Sequence, residues 1–390
     1  MAAASDWKPE LTRSETFNNR PTDWYSHSAK ADWGCQNPQQ KDTFIVVHPK
    51  TGDAAGRPLY VVLHSAGHNV QTCLDCTKTP GNHDIYHAPA DFYALFVDCA
   101  ANRGTDWWWG ADKQTAPGKL TPVELRVIDT VLWTIQKYGC DPNRVYLCGN
   151  SMGGSGTLGL GLRHGGIFAA IKANVPARIE HAWDRMYFES GIPADVTLPD
   201  PPICIDYSGT NDGWSNGHDR FYKAMHDRKY AVLGFWGMYG HANNNAAMAQ
   251  FNDIIHAFDW TSVRKNAAYP VFTDASTDNV IPWPSRTDSK PGQINAFFRW
   301  NNVSDSANQV QVELYLVSKD SMSSKFFEIP QTATANVSLR RIQNLNVKPG
   351  DTFRWSFGNR KGTVLADPTG LITINGLTIT ATPTVLTIEK

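Results

Sequence analysis

Three residue types in this chain could together activate a hydroxyl group: a serine set between close glycines, and an aspartate and a histidine that each follow an apolar run. Ser151 sits in Gly149-Asn-Ser151-Met-Gly153, directly after the apolar stretch 145–148. Glycines on both sides let a strand turn back into a helix so tightly that the serine hydroxyl is presented, the geometry of a nucleophile elbow. Gly154, Ser155, Gly156 and Gly159 would then let the following helix pack close to a sheet. Asp212 lies in Ser208-Gly-Thr-Asn-Asp212-Gly-Trp214 after the apolar stretch 202–207, and His241 follows Tyr239-Gly240 after the stretch 230–238. A serine hydroxyl attacks a carbonyl only when an imidazole takes its proton, and the imidazole needs a carboxylate to fix its tautomer and stabilise its charged form. Ser151, Asp212 and His241 supply these three parts. Asp206, inside the preceding strand, and Asp219, further along, are weaker acid candidates; His218 and His256 lie in helical or flanking segments and read as ordinary histidines.

The elements that must position these residues alternate. Residues 42–48, 59–63, 92–99, 145–148, 169–175, 202–207 and 230–238 are short and apolar, as buried strands are. Thr121-Pro-Val-Glu124 is a capping box with proline at the first helical position. It opens a helix whose stripe is Val123, Val127, Ile128, Val131, Leu132 and Ile135, and residues 139–143 end it. Strand, helix and strand in this order predict a parallel sheet with right-handed crossovers, whose carboxyl-end loops gather around the serine. One such loop holds Trp107, Trp108 and Trp109, which cannot all enter one core; they are candidate walls of a substrate cleft, as is Trp214 in the loop of Asp212. Residues 1–41 read as an irregular N-terminal segment and 176–201 as a helical or irregular insertion. From about residue 269 helical periodicity ends, and short alternating stretches at 293–300, 309–317, 335–339, 352–357 and 371–374 predict an antiparallel β-sandwich of immunoglobulin-like type. The expected organisation is therefore residues 1–41, a catalytic α/β domain over 42–265 and a sandwich over 266–390. The sandwich would bind polysaccharide or simply cover the α/β domain, with Trp283, Trp300 and Trp355 as the residues to check.

Composition narrows the partners. A net charge of -1 and no Lys/Arg-rich block argue against nucleic acid and anionic membrane, and no apolar run is long enough to span a bilayer. Fourteen Trp and thirteen Tyr suit a sugar or aromatic ligand, although such residues often only pack. The beginning of the chain has neither a basic start nor an apolar core, which fits an intracellular protein or one whose leader has been removed. Of seven cysteines, Cys148 and Cys204 fall in expected core strands, leaving Cys35, Cys73, Cys76, Cys99 and Cys140 as disulfide candidates. Cys73, Cys76, His83 and His87 have zinc-ligand types, but the two halves are too close for the usual finger pattern, so a local disulfide or plain loop is expected and no metal or other cofactor.

Residues 42–260 resemble the α/β-hydrolase superfamily, on the order Ser151, Asp212, His241 and the elbow between strand and helix. The stretch from Asp141 to Gly154, Asp-Pro-Asn-Arg-Val-Tyr-Leu-Cys-Gly-Asn-Ser-Met-Gly-Gly, particularly resembles the group holding feruloyl esterases, acetylxylan esterases and polyhydroxybutyrate depolymerases. That resemblance implies acyl transfer to water through Ser151. It also implies an oxyanion hole from the amide of Met152 and one in the loop after the second strand, often His-Gly-Gly-Gly but here His64-Ser65-Ala66-Gly67, so that Ser65 or Ala66 is the donor. The expectation is a monomeric, secreted or periplasmic serine esterase removing feruloyl or acetyl groups from plant or algal polysaccharide. The alternatives are a polyester depolymerase and a non-catalytic carbohydrate-binding protein on a hydrolase scaffold.

Overall fold

A computed structural model describes residues 7–35, 37, 39, 41–80, 83–99, 107–110, 118–241, 257–285, 290–320 and 326–390. The chain divides into two compact units, Met1–Pro199 and Asp200–Lys390. In the first unit, strands β1 (Glu10–Phe17), β2 (Arg20–Ser28), β3 (Lys41–Val47), β4 (Leu59–Leu63), β5 (Tyr93–Val97), β6 (Val145–Asn150) and β7 (Ala170–Asn174) are ordered β1-β2-β3-β5-β4-β6-β7. The pairs from β1 to β5 are antiparallel, and those joining β5, β4, β6 and β7 are parallel. β4, β5, β6 and β7 are buried at every residue, which is why they are continuously apolar rather than alternating. Helices α1 (Val70–Cys76), α2 (Pro122–Tyr138), α3 (Met152–Arg163) and α4 (Glu180–Met186) complete this unit.

α2 begins at the expected capping box: Thr121 accepts from the Glu124 amide, and Glu124 reaches back to the Thr121 amide. It ends at Gly139, in the left-handed conformation. Its inner face is more polar than the apolar stripe implies. Leu132 is 46% exposed, while Glu124, Arg126, Thr130 and Thr134 are buried. Thr130 and Thr134 return their hydroxyls to carbonyls one turn back, and Arg126 pairs with Asp42 at 2.5 Å, so the rotation of the helix leaves no buried charge uncompensated.

The second unit holds β8 (Ile203–Gly209), α5 (His218–Asp227) and β9 (Val232–Gly237), the two strands being parallel. β10 (Tyr269–Thr273) then joins a three-stranded antiparallel sheet, while β11 (Gly292–Ile294) pairs antiparallel with β9. A five-stranded sheet contains β12 (Phe298–Asp305) and β13 (Gln309–Leu316). β14 (Thr332–Arg340) lies between β10 and β17 (Ile372–Thr380); β15 (Thr352–Phe357), β16 (Arg360–Leu365) and β18 (Thr384–Glu389) finish the larger sheet, in the order β12-β13-β18-β15-β16. The architecture is an α/β-hydrolase followed by an antiparallel β-sandwich.

Three expectations change. Residues 1–41 are not irregular throughout: β1 and β2 form a hairpin whose turn, Asn18-Asn19, has φ of 48° and 59°, the left-handed pair of a type I′ turn. β1 is exposed at every residue but Phe17, so it lacks the alternation that would reveal it. The single strand expected over 293–300 is two strands broken at Asn295, where φ is 58°. The Asn295 amide donates to the carbonyls of both Val232 and Phe272, tying the α/β part of this unit to its sandwich. Finally, no disulfide joins the cysteines Cys35, Cys73, Cys76, Cys99, Cys140, Cys148 and Cys204; all but Cys35 are buried, and they serve as small apolar side chains.

Candidate active site

Ser151 follows β6 and caps α3 with φ 58° and ψ −117°, a conformation an L-residue adopts only when its surroundings enforce it. The enforcement is steric. A Cβ on Gly149 would lie 2.3 Å from the Gly153 carbonyl, and a Cβ on Gly153 would lie 2.0 Å from the Leu63 oxygen. The Ser151 amide donates to the Asn174 carbonyl at 2.9 Å, and Ser155 at the next turn donates to the Ser151 carbonyl at 3.0 Å. Met152 is the first residue of α3, where backbone N–H groups lack helical acceptors and favour developing negative charge.

The loop after β4 is fixed by Tyr86. The Ser65 amide donates to the Tyr86 hydroxyl at 3.2 Å, the two hydroxyls are 2.9 Å apart, and Ser65 Oγ donates to the Asn150 carbonyl at 2.9 Å. Since the one hydroxyl proton of Ser65 goes to Asn150, Tyr86 donates to Ser65 Oγ while accepting from its amide. Of the two oxyanion candidates, Ser65 is buried and its N–H is taken; Ala66 is exposed.

The three tryptophans separate. Trp108 is fully buried, donates from Nε1 to the His64 carbonyl at 2.9 Å and packs where a Cβ on Gly156 would fall, 2.4 Å from its own Cβ. It therefore anchors the loop against α3 and is not a cleft wall, because the tight turn closed by Trp107 and Gly110 sends the middle ring inward. Trp107 and Trp109 are half-buried and stack with centroids 5.5 Å apart, and Trp109 stacks in turn on His181 at 4.6 Å. Burial, and next the Arg185 charge, push His181 down to about 4, so its ring is neutral. Arg185 is itself paired to Glu124 of the capping box at 2.7 Å.

In the second unit, Asp212 follows β8 and His241 follows β9. Asp212 is fully buried; its Oδ2 lies 2.7 Å from His241 Nδ1, and its Oδ1 accepts the Trp214 amide at 2.8 Å. The His241 side chain is 32% exposed, and the Trp214 ring, 49% exposed, lies 6.3 Å from it. Of the aspartates weighed, Asp206 instead accepts from the Tyr222 hydroxyl at 2.5 Å, and Asp219 sits in the first turn of α5. His218 is fully buried: Nδ1 donates to the Ser215 carbonyl at 2.7 Å, and Nε2 lies 2.6 Å from Ser208 Oγ and 3.4 Å from Asp206 Oδ2. His256 lies outside the described residues, as do Asn102 to Asp106 of the tryptophan loop and the residues that follow His241.

Sequence reasoning missed what braces the acid loop. Ser215 Oγ lies 2.8 and 2.9 Å from the carbonyls of Asp212 and Gly209, which share its one proton, and accepts from Trp283 Nε1 at 3.0 Å. Trp283 also stacks on His218, with centroids 5.0 Å apart. It is packed beneath the acid loop and is not a sugar platform. Trp300 packs on Phe258, while Trp355 is half-buried beside Arg360. No spacing in the sequence links Trp283 to Asp212; only the fold does.

No family model matches the chain, and no curated protein is significantly similar. Solved structures resemble it at low identity. An S-formylglutathione hydrolase from Agrobacterium tumefaciens is 15% identical, with a TM-score of 0.46 over 65% of this chain and 99% of that one. A CE1 ferulic acid esterase from Anaeromyces mucronatus is 16% identical, with a TM-score of 0.41 over 65% and 96%. An S-formylglutathione hydrolase from Staphylococcus aureus is 14% identical, with a TM-score of 0.39 over 62% and 98%.

Proposed function

We propose that the chain is a serine carboxylesterase that removes feruloyl or acetyl groups from plant or algal polysaccharide outside the cytoplasm. The observation that supports it most is the histidine held to a fully buried carboxylate at 2.7 Å, on a chain that also carries a strained serine elbow. In this reading Ser151 attacks the ester carbonyl, its proton passes to Nε2 of His241, and Asp212 holds Nδ1 protonated and stabilises the imidazolium. The amides of Met152 and Ala66 receive the oxyanion. Collapse of the tetrahedral intermediate expels the sugar alkoxide, which takes the proton from His241; water then repeats the sequence on the acyl-enzyme and releases the acid. Trp107, Trp109 and Trp214 are the substrate-facing candidates. The extracytoplasmic location draws on the sandwich alone, since the cysteines form no disulfides; cell fractionation tests it.

The test of the activity is acid release from acetylated and feruloylated xylan, with products identified by mass. Ser151→Ala should lower kcat by about 10⁴-fold or more with the fold intact. Activity surviving that substitution would sink the mechanism. A serine that reacts with an active-site phosphonate while xylan releases nothing would point to polyester instead.

A further inference from the structure

The first unit contains a cavity of about 160 Å³ that the proposed chemistry does not use. It lies between α1 and the β3–β5 face, beside the turn of the β1–β2 hairpin. Its walls are the rings of Phe17, Tyr86 and Phe96 with Leu74, Val47 and Ala94, and Arg20 and Lys50 also line it. Arg20 is 8% exposed, and its side-chain hydrogen bonds run to carbonyls: Nε donates to His48 at 2.6 Å and Nη2 to Phe92. Asp91, whose charge acts on Arg20 from beyond ion-pairing distance, also lies 3.8 Å from Arg57. Among the described residues no carboxylate lies within ion-pairing distance of Arg20 or Lys50. Burial pushes Arg20 down to about 10, against the opposing pull of the Asp91 charge, and it is still charged at neutral pH.

We propose that this cavity binds a small arylcarboxylate, its ring between Phe17, Tyr86 and Phe96 and its carboxylate toward Arg20 and Lys50. Size, wall and charge each constrain the ligand. A cavity of about 150 Å³ accepts one benzene ring, so this one has room for a single ring inside it. Three aromatic walls favour a flat ring, and Arg20 and Lys50, neither in contact with a carboxylate among the described residues, supply the counter-charge that a neutral ring would leave unused. The ring would rest on Tyr86, whose hydroxyl holds Ser65, so occupancy is felt at the loop after β4. The inference does not depend on the chemistry of Ser151.

The test is calorimetric titration of the full chain, and of its Ser151→Ala form, with benzoate, benzamide and hexanoate. Benzoate should bind both forms alike at one site, with benzamide and hexanoate roughly tenfold weaker or more. Ala88→Leu, which fills the cavity from its partly exposed side, should abolish binding, and Lys50→Gln should weaken it about fivefold. Benzamide binding as tightly as benzoate, or unchanged affinity in a folded Ala88→Leu protein, would overturn the proposal. Should Ala88→Leu fail to fold, Lys50→Gln decides: it is a surface change, and unaltered affinity there overturns the proposal equally.

Discussion

The elbow around Ser151 and the loops around Asp212 and His241 are built by opposite means. The elbow is held by the absence of side chains: Gly149, Gly153 and Gly154 each leave a gap that neighbouring backbone fills to within 3 Å of where a Cβ would be. The acid and base loops are held by buried polar groups, with Ser208, Ser215, His218 and Trp283 satisfying one another beneath Asp212. Steric enforcement shows in the sequence as a few local glycines, whatever backbone they meet. Polar bracing recruits residues far apart in sequence, and its members strengthen one another.

The largest effect that would sharpen this contrast is at the acid itself. Asp212→Asn keeps the size of the side chain but presents an amide to His241 Nδ1, favouring the wrong tautomer. On the proposed mechanism kcat should fall by about 10⁴-fold with thermal stability nearly unchanged. Near-normal turnover would move the acid role elsewhere. Next is Gly153→Ala, whose added carbon would meet the Leu63 carbonyl oxygen at 2.0 Å. Because backbone surrounds the site, relief requires α3 to shift, and a loss of about 3 kcal/mol or more in denaturant unfolding is expected. An unaltered midpoint would mean that the elbow is not sterically enforced.

The same contrast explains what the sequence disclosed. β4 and β15 were legible to the residue because a fully buried apolar run and a clean alternation are local signals. α2 was legible from its capping box, although its rotation was not, since Arg126 is buried only through Asp42 on another element. Ser151 was visible because Gly149 and Gly153, the glycines that let it turn, lie two residues to either side. The reading could rank Asp212 above Asp206 only by position after a strand; the buried Tyr222 hydroxyl that occupies Asp206 has no local signature. Trp108 and Trp109 are adjacent and identical in type, so no pattern could tell the buried ring from the half-exposed one. β1, exposed on both faces, carries no apolar period to read.

Trp283 tests the polar brace directly. Trp283→Phe keeps the ring stacked on His218 and removes only the N–H given to Ser215. One hydrogen bond is worth about 1 kcal/mol, so kcat should fall roughly fivefold. If Trp283 positions Asp212, KM should stay constant while kcat drops. A loss of stability with unchanged kcat would make it a packing residue only.

The smallest effect separates the two kinds of construction by pH. Asp278 lies in the segment joining β10 to β11; it accepts the Asn295 amide at 2.8 Å, and burial pushes its carboxyl up to about 7 against that bond, with His226 and Asp274 nearby. In the unfolded chain an aspartate titrates near 3.9, so between about pH 4 and 7 the folded protein holds a proton that the unfolded chain has released. Stability from this group is therefore present below pH 4 and is lost as pH rises toward 7, the reverse of a paired carboxylate. Asp278→Asn retains the carbonyl acceptor and removes the titration. The variant should match the parent near pH 4 and exceed it by on the order of 1 kcal/mol at pH 8, in urea unfolding followed by tryptophan fluorescence. Gly153→Ala, whose cost is steric, should show the same deficit at both pH values. A difference for Asp278→Asn that is equally flat with pH would mean that its carboxyl is solvated in the folded chain, and that the bracing of Asn295 does not depend on burying a proton.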